Sequence, residues 1–286
     1  MTQEDLMMKF TKVLSLILAL VMVFAFAACG KTEKDTKDTD TKDSVEDTAN
    51  NAVDTTPDTD ASGDDDVLVM ATNAYFPPYE YYDGETIVGI DAEIAAAVAA
   101  KLGKTLKIED MAFDSITTAV QQGSVDFGMA GMTITEERLE EVNFSVSYAN
   151  GVQAIIVTEN SPITSVDDLY ADGASYKVGV QLGTTGDIYS TDDFGAENVT
   201  QYVNGNEAVL ALLGGSVDCV IIDNEPAKAY VEANEGLKIL ETSYADEDYA
   251  ICVSKENSEL LEQINAAIVE LIEDGTIDGI IAKYID

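Results

Sequence analysis

The sequence predicts an α/β fold with largely parallel sheets, arranged as two similar lobes. From Val67 onward, short apolar runs alternate with amphipathic helical segments, a pattern typical of strands joined by helical crossovers. A helix followed by a Gly-Ser-Val-Asp turn and a strand occurs twice, in QQGSVDFGMAG and LGGSVDCVIID. This short internal repeat favours two lobes, and a chain of 286 residues is long enough to build a core for them.

The first half of the folded region is predicted to contain three strands and three helices. The strands are VLVMAT, LKIED and VDFGMAG, and the first leads into a loop rich in proline and aromatic residues, NAYFPPYEYY. Asp91 is expected to cap a helix that ends at Gly103, and Asp114 a second helix that ends at Gly123. Thr135 is expected to begin a short third helix, TEERLEEV.

The second half repeats this alternation. Its predicted strands are QAIIV, YKVGV, VDCVIID and YAICVSK. The predicted helices are VDDLY, a helix after the loop QLGTTG, EAVLALLGG, a helix from Glu225, and the closing pair SELLEQINAAIVELIEDG and TIDGIIAKYI. Cys219 and Cys252 fall in strands assigned to different lobes, so both are expected to be free and buried.

Composition excludes several classes of function. The chain has 54 acidic against 15 basic residues, a net charge of -39, and would be repelled by the phosphate backbone of nucleic acids. It has no histidine, the usual zinc ligand and general base, and we expect no metal ion, no cofactor and no catalytic residue. Fourteen basic residues are lysine and one is arginine, Arg138, the residue type suited to planar recognition of a carboxylate.

Residues 1–28 have the pattern of a signal peptide. Lys9 and Lys12 precede a predominantly apolar run, 13–28, which is short for a membrane span. The following Ala27-Ala28-Cys29-Gly30 is similar to a bacterial lipobox, in which the cysteine is lipidated and becomes the mature N-terminus. We therefore expect a lipoprotein anchored through Cys29 to the outer face of the cell membrane, the alternative being an ordinary signal peptide with an incidental cysteine.

Residues 29–66 are predicted to be the lipidated cysteine and a disordered acidic tether. Residues 30–66 contain no aromatic residue, leucine, isoleucine or methionine, and carry 13 acids against 4 lysines. Such a segment buries too little apolar surface to offset the entropy lost on ordering, and its charges repel one another.

Five motifs follow one another between Val67 and Asp286: ATNAYFPPYEY, GIDAEIAAAVA, AGMTITEER, GVQLGTTG and VIIDNEPA. Together they resemble the polar-amino-acid family of extracytoplasmic solute-binding proteins, the receptors of ABC importers, over essentially the whole folded region. Ala92 departs from the family pattern, in which a larger aliphatic residue is usual. The resemblance implies a type II periplasmic-binding-protein-like fold with a ligand cleft between lobes joined by two chain crossings. The lobes are predicted as 67–152 plus 247–286 and 153–246.

The resemblance also implies a binding site for an α-amino acid. Arg138 corresponds to the family's carboxylate clamp, with Thr133 and the Gly131 backbone beside it, and Thr185 adds a backbone N–H at a helix N-terminus. Asp223 matches the family's ammonium acceptor. Two alternatives stay open: Arg138 as a solvated partner of neighbouring acids, and Asp223 as a cap of the following helix.

The residues that match the family's specificity pocket are Asn73, Phe76, Phe113 and Gln181, with Tyr75 as a further candidate. Phe113 could equally belong to the core. Many members have an aspartate at the position of Asn73 and some have a lysine at that of Gln181, so two neutral amides predict a neutral polar or small amino acid.

The function implied is that of a monomeric substrate-binding component, which captures a free amino acid by cleft closure and delivers it to a membrane permease. The same fold hosts cyclohexadienyl-type dehydratases and amino-acid sensor domains, which are the alternatives. Asp223 is the sole unpaired acid expected in the cleft, and no second apolar span follows the last helix, so both alternatives are disfavoured.

Overall fold

A computed structural model describes residues 66–241 and 243–285. The predicted signal peptide, the lipidated Cys29 and nearly all of the tether lie outside the described residues. No helix in the described part of the chain has the length and apolar character needed to cross a membrane. The described residues form fourteen strands, eight α-helices and two 3-10 turns.

The first sheet combines strands from the beginning and the end of the described chain. Its strands are β1 (Val67–Thr72), β5 (Thr105–Asp110), β6 (Phe127–Gly128), β7 (Val142–Phe144) and β14 (Cys252–Ser254). Their order is β5-β1-β6-β14-β7. β1 is parallel to β5 and β6, whereas β14 is antiparallel to β6 and β7.

Helices cover both faces of this sheet. They are α1 (Ile90–Lys101), α2 (Ile116–Gln121), α3 (Glu136–Glu141), α7 (Ser258–Glu273) and α8 (Thr276–Ile281). Because side chains alternate along a strand, Met70 packs with Ile94 of α1 in one core cluster, and Ala71 packs with Ile116 of α2 in another.

The second sheet is built from the middle of the chain. Its strands are β8 (Ala149–Thr158), β9 (Val178–Gln181), β10 (Val199–Tyr202), β11 (Cys219–Asp223), β12 (Leu237–Ile239) and β13 (Ala245–Tyr249). Their order is β10-β9-β11-β8-β12, with β13 also paired to β8. The helices of this part are α4 (Thr185–Phe194), α5 (Gly205–Leu213) and α6 (Asn224–Ala233). Cys219 and Cys252 are free and buried in different sheets, as predicted.

The chain passes between the two sheets in β8 and β13, which pair with each other. β8 follows β7 of the first sheet, and β13 is followed by β14, which also belongs to the first sheet. In this antiparallel pair Gln153 lies opposite Ala245, and Gly151 lies opposite Glu247. The two predicted crossings fall within these strands, and the lobe limits themselves stay a prediction.

Two predictions about the sheets are wrong. The sheets are mixed rather than largely parallel, because β14 and β8 enter them antiparallel to their neighbours. The aromatic segment predicted as a loop forms much of a three-stranded antiparallel sheet, in which Phe76 pairs with Glu80 and Tyr82 with Ile87. Its strands are β2 (Tyr75–Phe76), β3 (Glu80–Asp83) and β4 (Thr86–Val88).

The predicted start of the helix at Thr135 is confirmed to within one residue, and the two predicted aspartate caps are not found. Thr135 precedes α3, and its hydroxyl oxygen accepts a hydrogen bond from the Arg138 N–H at 3.1 Å. Asp91 lies inside α1, which begins after Gly89, and its side chain is buried and bonded to other segments. Asp114 lies within a 3-10 turn, Phe113–Ser115, and neither this turn nor α2 has a side-chain cap. The Asp91 and Asp114 caps are therefore wrong.

Candidate functional site

A pocket with about 320 Å³ of empty space lies between elements of the two larger sheets. Each of the nine residues predicted to form the site lines it. The lining comprises Asn73, Phe76, Glu80, Phe113, Ala130, Gly131, Thr133 and Arg138 from the part of the chain around the first sheet, and Gln181, Thr184, Thr185 and Asp223 from the second. Segments far apart in the sequence thus converge on one cavity.

Arg138 is buried in the wall of this pocket. It lies on α3 and is only 7% exposed, so the reading of Arg138 as a solvated partner of nearby acids is wrong. Its Nη1 donates to the Thr133 carbonyl at 2.7 Å, and its Nη2 donates to the Gly183 carbonyl at 3.1 Å. The guanidinium carbon lies 5.3 Å from the centre of the Phe113 ring, within the range of a cation–π contact.

Burial lowers the pKa of the Arg138 guanidinium, which nevertheless remains charged. Among the described residues no carboxylate forms an ion pair with it within 4.0 Å. A guanidinium has five N–H donors, and two carbonyl bonds leave the others available. A buried positive charge with spare donors is suited to binding a carboxylate.

The loop after β9 brings a helix N-terminus to the pocket. Thr184 caps α4: its hydroxyl oxygen accepts from the Asp187 N–H at 3.3 Å and donates to the Gln181 carbonyl at 2.8 Å. Gly183 has φ +77°, a backbone conformation that favours glycine, and its N–H donates to Asp187 at 3.0 Å. Thr185 is the first residue of α4, and the N-terminus of a ten-residue helix favours an anion.

Asp223 lies at the end of β11 in the second sheet, whereas Arg138 lies beside the first sheet. The carboxyl group of Asp223, when ionised, carries the charge opposite to that of the guanidinium. Asp223 precedes α6, but its side chain makes no capping bond, so the reading of Asp223 as a helix cap is wrong. Its Oδ2 accepts from Gln153 Nε2 at 2.7 Å, and its Oδ1 accepts from the Tyr249 hydroxyl. Burial, and then the neighbouring Glu247 carboxylate, raise the pKa of Asp223 well above its usual value. An ammonium group would stabilise the ionised form of this carboxyl group.

The lining of the pocket also includes two amides and two aromatic rings. Gln181 Nε2 donates to Asn73 Oδ1 at 2.9 Å, and Asn73 Nδ2 donates to the Met111 carbonyl at 2.8 Å. Phe76 and Phe113 both line the pocket. Phe113 also packs against the core beneath α2, so it lies both in the pocket lining and at the edge of the core. Tyr75 is not in the lining: it is 44% exposed and contacts Tyr82, because neighbouring residues of β2 face opposite sides.

Sequence reasoning missed several residues of the site. Glu80, Ala130 and Thr184 line the pocket, and Gln153 supports Asp223 from the crossing strand β8. The run YEYY gives no sign that Glu80 is buried, yet pairing of β2 with β3 sets it opposite Phe76, at 1% exposure. A prediction of that hairpin would have put Glu80 in the pocket.

Two α/β sheets joined by a pair of crossing strands, with a pocket between them that holds a buried guanidinium and a buried carboxyl group, define a two-lobed solute-binding protein. Residues 68–286 match the model of the bacterial extracellular solute-binding proteins, family 3, and the chain belongs to this family.

Several characterised proteins are similar to it. The arginine-binding extracellular protein ArtP of Bacillus subtilis is 31% identical over 226 residues, covering 76% of this chain and 85% of the relative. The ABC transporter glutamine-binding protein GlnH of the same organism is 30% identical over 277 residues, covering 94% and 96%. The structure of an ancestral arginine-binding protein bound to glutamine is 42% identical, with a TM-score of 0.72, covering 77% of this chain and 98% of that one.

Proposed function

We propose that this protein is the substrate-binding component of an amino-acid ABC importer, which captures a free α-amino acid and delivers it to a membrane permease. The observation that carries the proposal is the pairing of Arg138 and Asp223 in one pocket. An amino acid carries a carboxylate and an ammonium, and each is costly to strip of water unless it meets an oppositely charged partner. In this proposal Arg138, Thr133 and Thr185 bind the carboxylate. Asp223 binds the ammonium, together with the carbonyl of Gly131, whose N–H already donates to Asp91.

Capture works by closure of the two lobes, proposed as 67–152 plus 247–286 and 153–246. Hydrogen bonds already join the two lobes away from the crossing strands: Arg138 donates to Gly183, Gln181 to Asn73, and the Tyr230 hydroxyl to the Tyr75 carbonyl at 2.7 Å. A ligand held by Arg138 on one side and Asp223 on the other gains contacts only when the lobes are together. That difference in affinity shifts the population toward the closed state, which the permease recognises.

The side chain of the ligand is proposed to be neutral and polar. Asn73 and Gln181 offer amides, and Phe76 and Phe113 offer rings. Burial and the adjacent Asp91 raise the pKa of Glu80 well above its usual value, which favours the uncharged form of its carboxyl group. Solved relatives bind glutamine and arginine, which makes these two amino acids the natural probes of a neutral and a cationic side chain.

The site is proposed to bind without turnover, and the protein to act as a monomeric lipoprotein. The family is extracellular, and the finer proposal is export by the signal peptide 1–28, lipidation at Cys29 and attachment to the outer face of the membrane through the tether 29–66.

Calorimetry and thermal unfolding of the purified full chain against the common amino acids test the proposal. A ligand at a hundredfold excess over its Kd raises the free energy of unfolding by about 2.7 kcal/mol. The ligand should be recovered chemically unchanged, which a dehydratase would not allow. Absence of binding by every amino acid would refute the proposed function.

A further inference from the structure

Two buried carboxyl groups meet at the wall of the pocket. Glu80 of β3 lines the pocket and is 1% exposed, and Asp91 of α1 is fully buried beside it. Within the described residues, both Glu80 oxygens and Asp91 Oδ1 have no partner apart from the contact that the two carboxyl groups make with each other. Two buried carboxylates in contact cannot both be ionised, so a proton between them is required.

The remaining oxygen of Asp91 decides where this proton resides. Asp91 Oδ2 accepts from the Gly131 N–H at 2.8 Å and from the Tyr148 hydroxyl at 2.8 Å. Both donors favour the ionised form of Asp91. Glu80, which has no such donor among the described residues, therefore holds the proton and donates it to Asp91 Oδ1.

The surroundings supply negative charge and hydroxyl groups. Asp110 at the end of β5 and Asp223 at the end of β11 both raise the pKa of Glu80. The hydroxyl groups nearby belong to Tyr79, Tyr148 and Tyr230. Of the described residues that line the pocket, Arg138 alone is cationic, and it makes no ion pair with Glu80 or Asp91; two of its donors are directed to Thr133 and Gly183. The carboxyl pair thus lacks a counter-ion and faces the space where a ligand's side chain would lie.

We propose that Glu80 and Asp91 share a single proton and that the charge of the ligand's side chain determines whether the pair keeps or releases this proton. A neutral side chain leaves the proton in place and accepts or donates a hydrogen bond at Glu80. A cationic side chain displaces the proton: the O–H bond of Glu80 breaks, its electron pair stays on the carboxylate, and the proton passes to solvent. This inference rests on the proposed function, and it makes Glu80 a residue that determines specificity.

Selectivity between neutral and cationic amino acids then depends on pH. Release of one proton per bound arginine strengthens arginine binding about tenfold for each unit of rising pH, as long as the free pair holds its proton. Any proton that Asp223 releases when an ammonium binds is common to glutamine and arginine, so the tenfold factor applies to the ratio of the two affinities.

Calorimetric titration of the purified full chain, with glutamine and with arginine as probes, tests this between pH 6 and 9. Buffers of different protonation enthalpy give the number of protons released. We expect about one more proton released per arginine than per glutamine, because any release from Asp223 is common to both ligands. Glu80→Gln should abolish this difference and weaken arginine binding at least about tenfold. Asp91→Asn should reduce the difference, because loss of the neighbouring carboxyl group lowers the pKa of Glu80. Glu259→Gln, which removes an exposed carboxylate on α7, is the matched control and should behave as wild type.

The wild-type proton counts decide the matter even if a variant fails to fold. Equal counts for the two ligands, a difference between the counts that persists in Glu80→Gln, or no arginine binding even at pH 9 would each overturn the inference and leave the proposed function intact. A wild-type chain that binds no amino acid would overturn both.

Discussion

Arg138 and Gly183 are hydrogen-bonded across the pocket, with Nη2 of the guanidinium 3.1 Å from the Gly183 carbonyl oxygen. Arg138 lies on α3 beside the first sheet, and Gly183 lies in the loop that follows β9 of the second. The fixed fork of a guanidinium allows the same side chain to reach this loop and to hold a carboxylate. In the proposed function, ligand binding and lobe closure therefore share one residue.

Replacement of Arg138 is expected to remove most of the affinity for amino acids. Each hydrogen bond to a charged group contributes about 1.5–3 kcal/mol. Arg138→Ala should weaken binding by about a hundredfold or more, and Arg138→Lys, which keeps the charge but loses the fork, by about tenfold. Calorimetry measures both. Lys107→Ala removes an exposed positive charge on β5 and should bind normally. Arg138→Ala binding within threefold of wild type would contradict the assigned role.

Gly131→Ala is expected to damage both the pocket and the fold. Gly131 has φ +53°, and an added Cβ would lie 2.7 Å from Cε1 of Phe76, which lines the pocket. The shift needed also disturbs the Gly131 N–H bond to Asp91. Gly123→Ala separates backbone strain from crowding, because Gly123 has φ +67° but no atom within 4 Å of an added Cβ. Both variants should lose about 1 kcal/mol of stability to strain, and only Gly131→Ala should also lose ligand affinity.

Gly151→Ala tests the crossing strands. An added Cβ would overlap the hydroxyl of Tyr249, which donates to Asp223. Displacement of this hydroxyl leaves a buried Asp223 oxygen without a hydrogen-bond donor, so amino-acid binding should weaken by about tenfold. Gly279→Ala in α8, where nothing lies within 4 Å of an added Cβ, should bind as wild type. Equal affinity of the two variants would show that Tyr249 does not position Asp223.

Stability is expected to fall as the pH rises from about 4 to about 6. Burial raises the pKa of Asp91 to about 6, from about 3.9 in an unfolded chain. Between these values the folded state binds more protons than the unfolded state, so the free energy of unfolding decreases with pH, by about 3 kcal/mol for this group alone. Urea unfolding followed by circular dichroism at several pH values measures the slope. Asp91→Asn should flatten it, and an unchanged slope in that variant would assign the effect to other groups.

Short sequence patterns correctly predicted the helices and strands whose formation depends on residues adjacent in the chain. The Thr135 cap and the buried strands around Ala71 and Val220 follow from the preferences of adjacent residues. The strands β7, β10, β12 and β13 were missed because they are short, and β13, ADEDY, is largely polar and forms by pairing with β8. Asp91 looked like a cap, but the donors that hold it, Gly131 and Tyr148, lie 40 and 57 residues away.

The sequence by itself determined the α/β alternation and the single arginine, and its resemblance to a known family indicated the nine residues that meet in the pocket. Their motifs are short and contiguous, and each carries its chemistry in the residue type. Only the tertiary structure brought Glu80 against Asp91 and set Gln153 between Asp223 and Glu247, with Nε2 at 2.7 and 3.0 Å from their carboxylates. The protonation of a carboxyl group depends on burial and on neighbours a few ångströms away. Those neighbours come from distant segments, so the charge state of the pocket was decided by the fold.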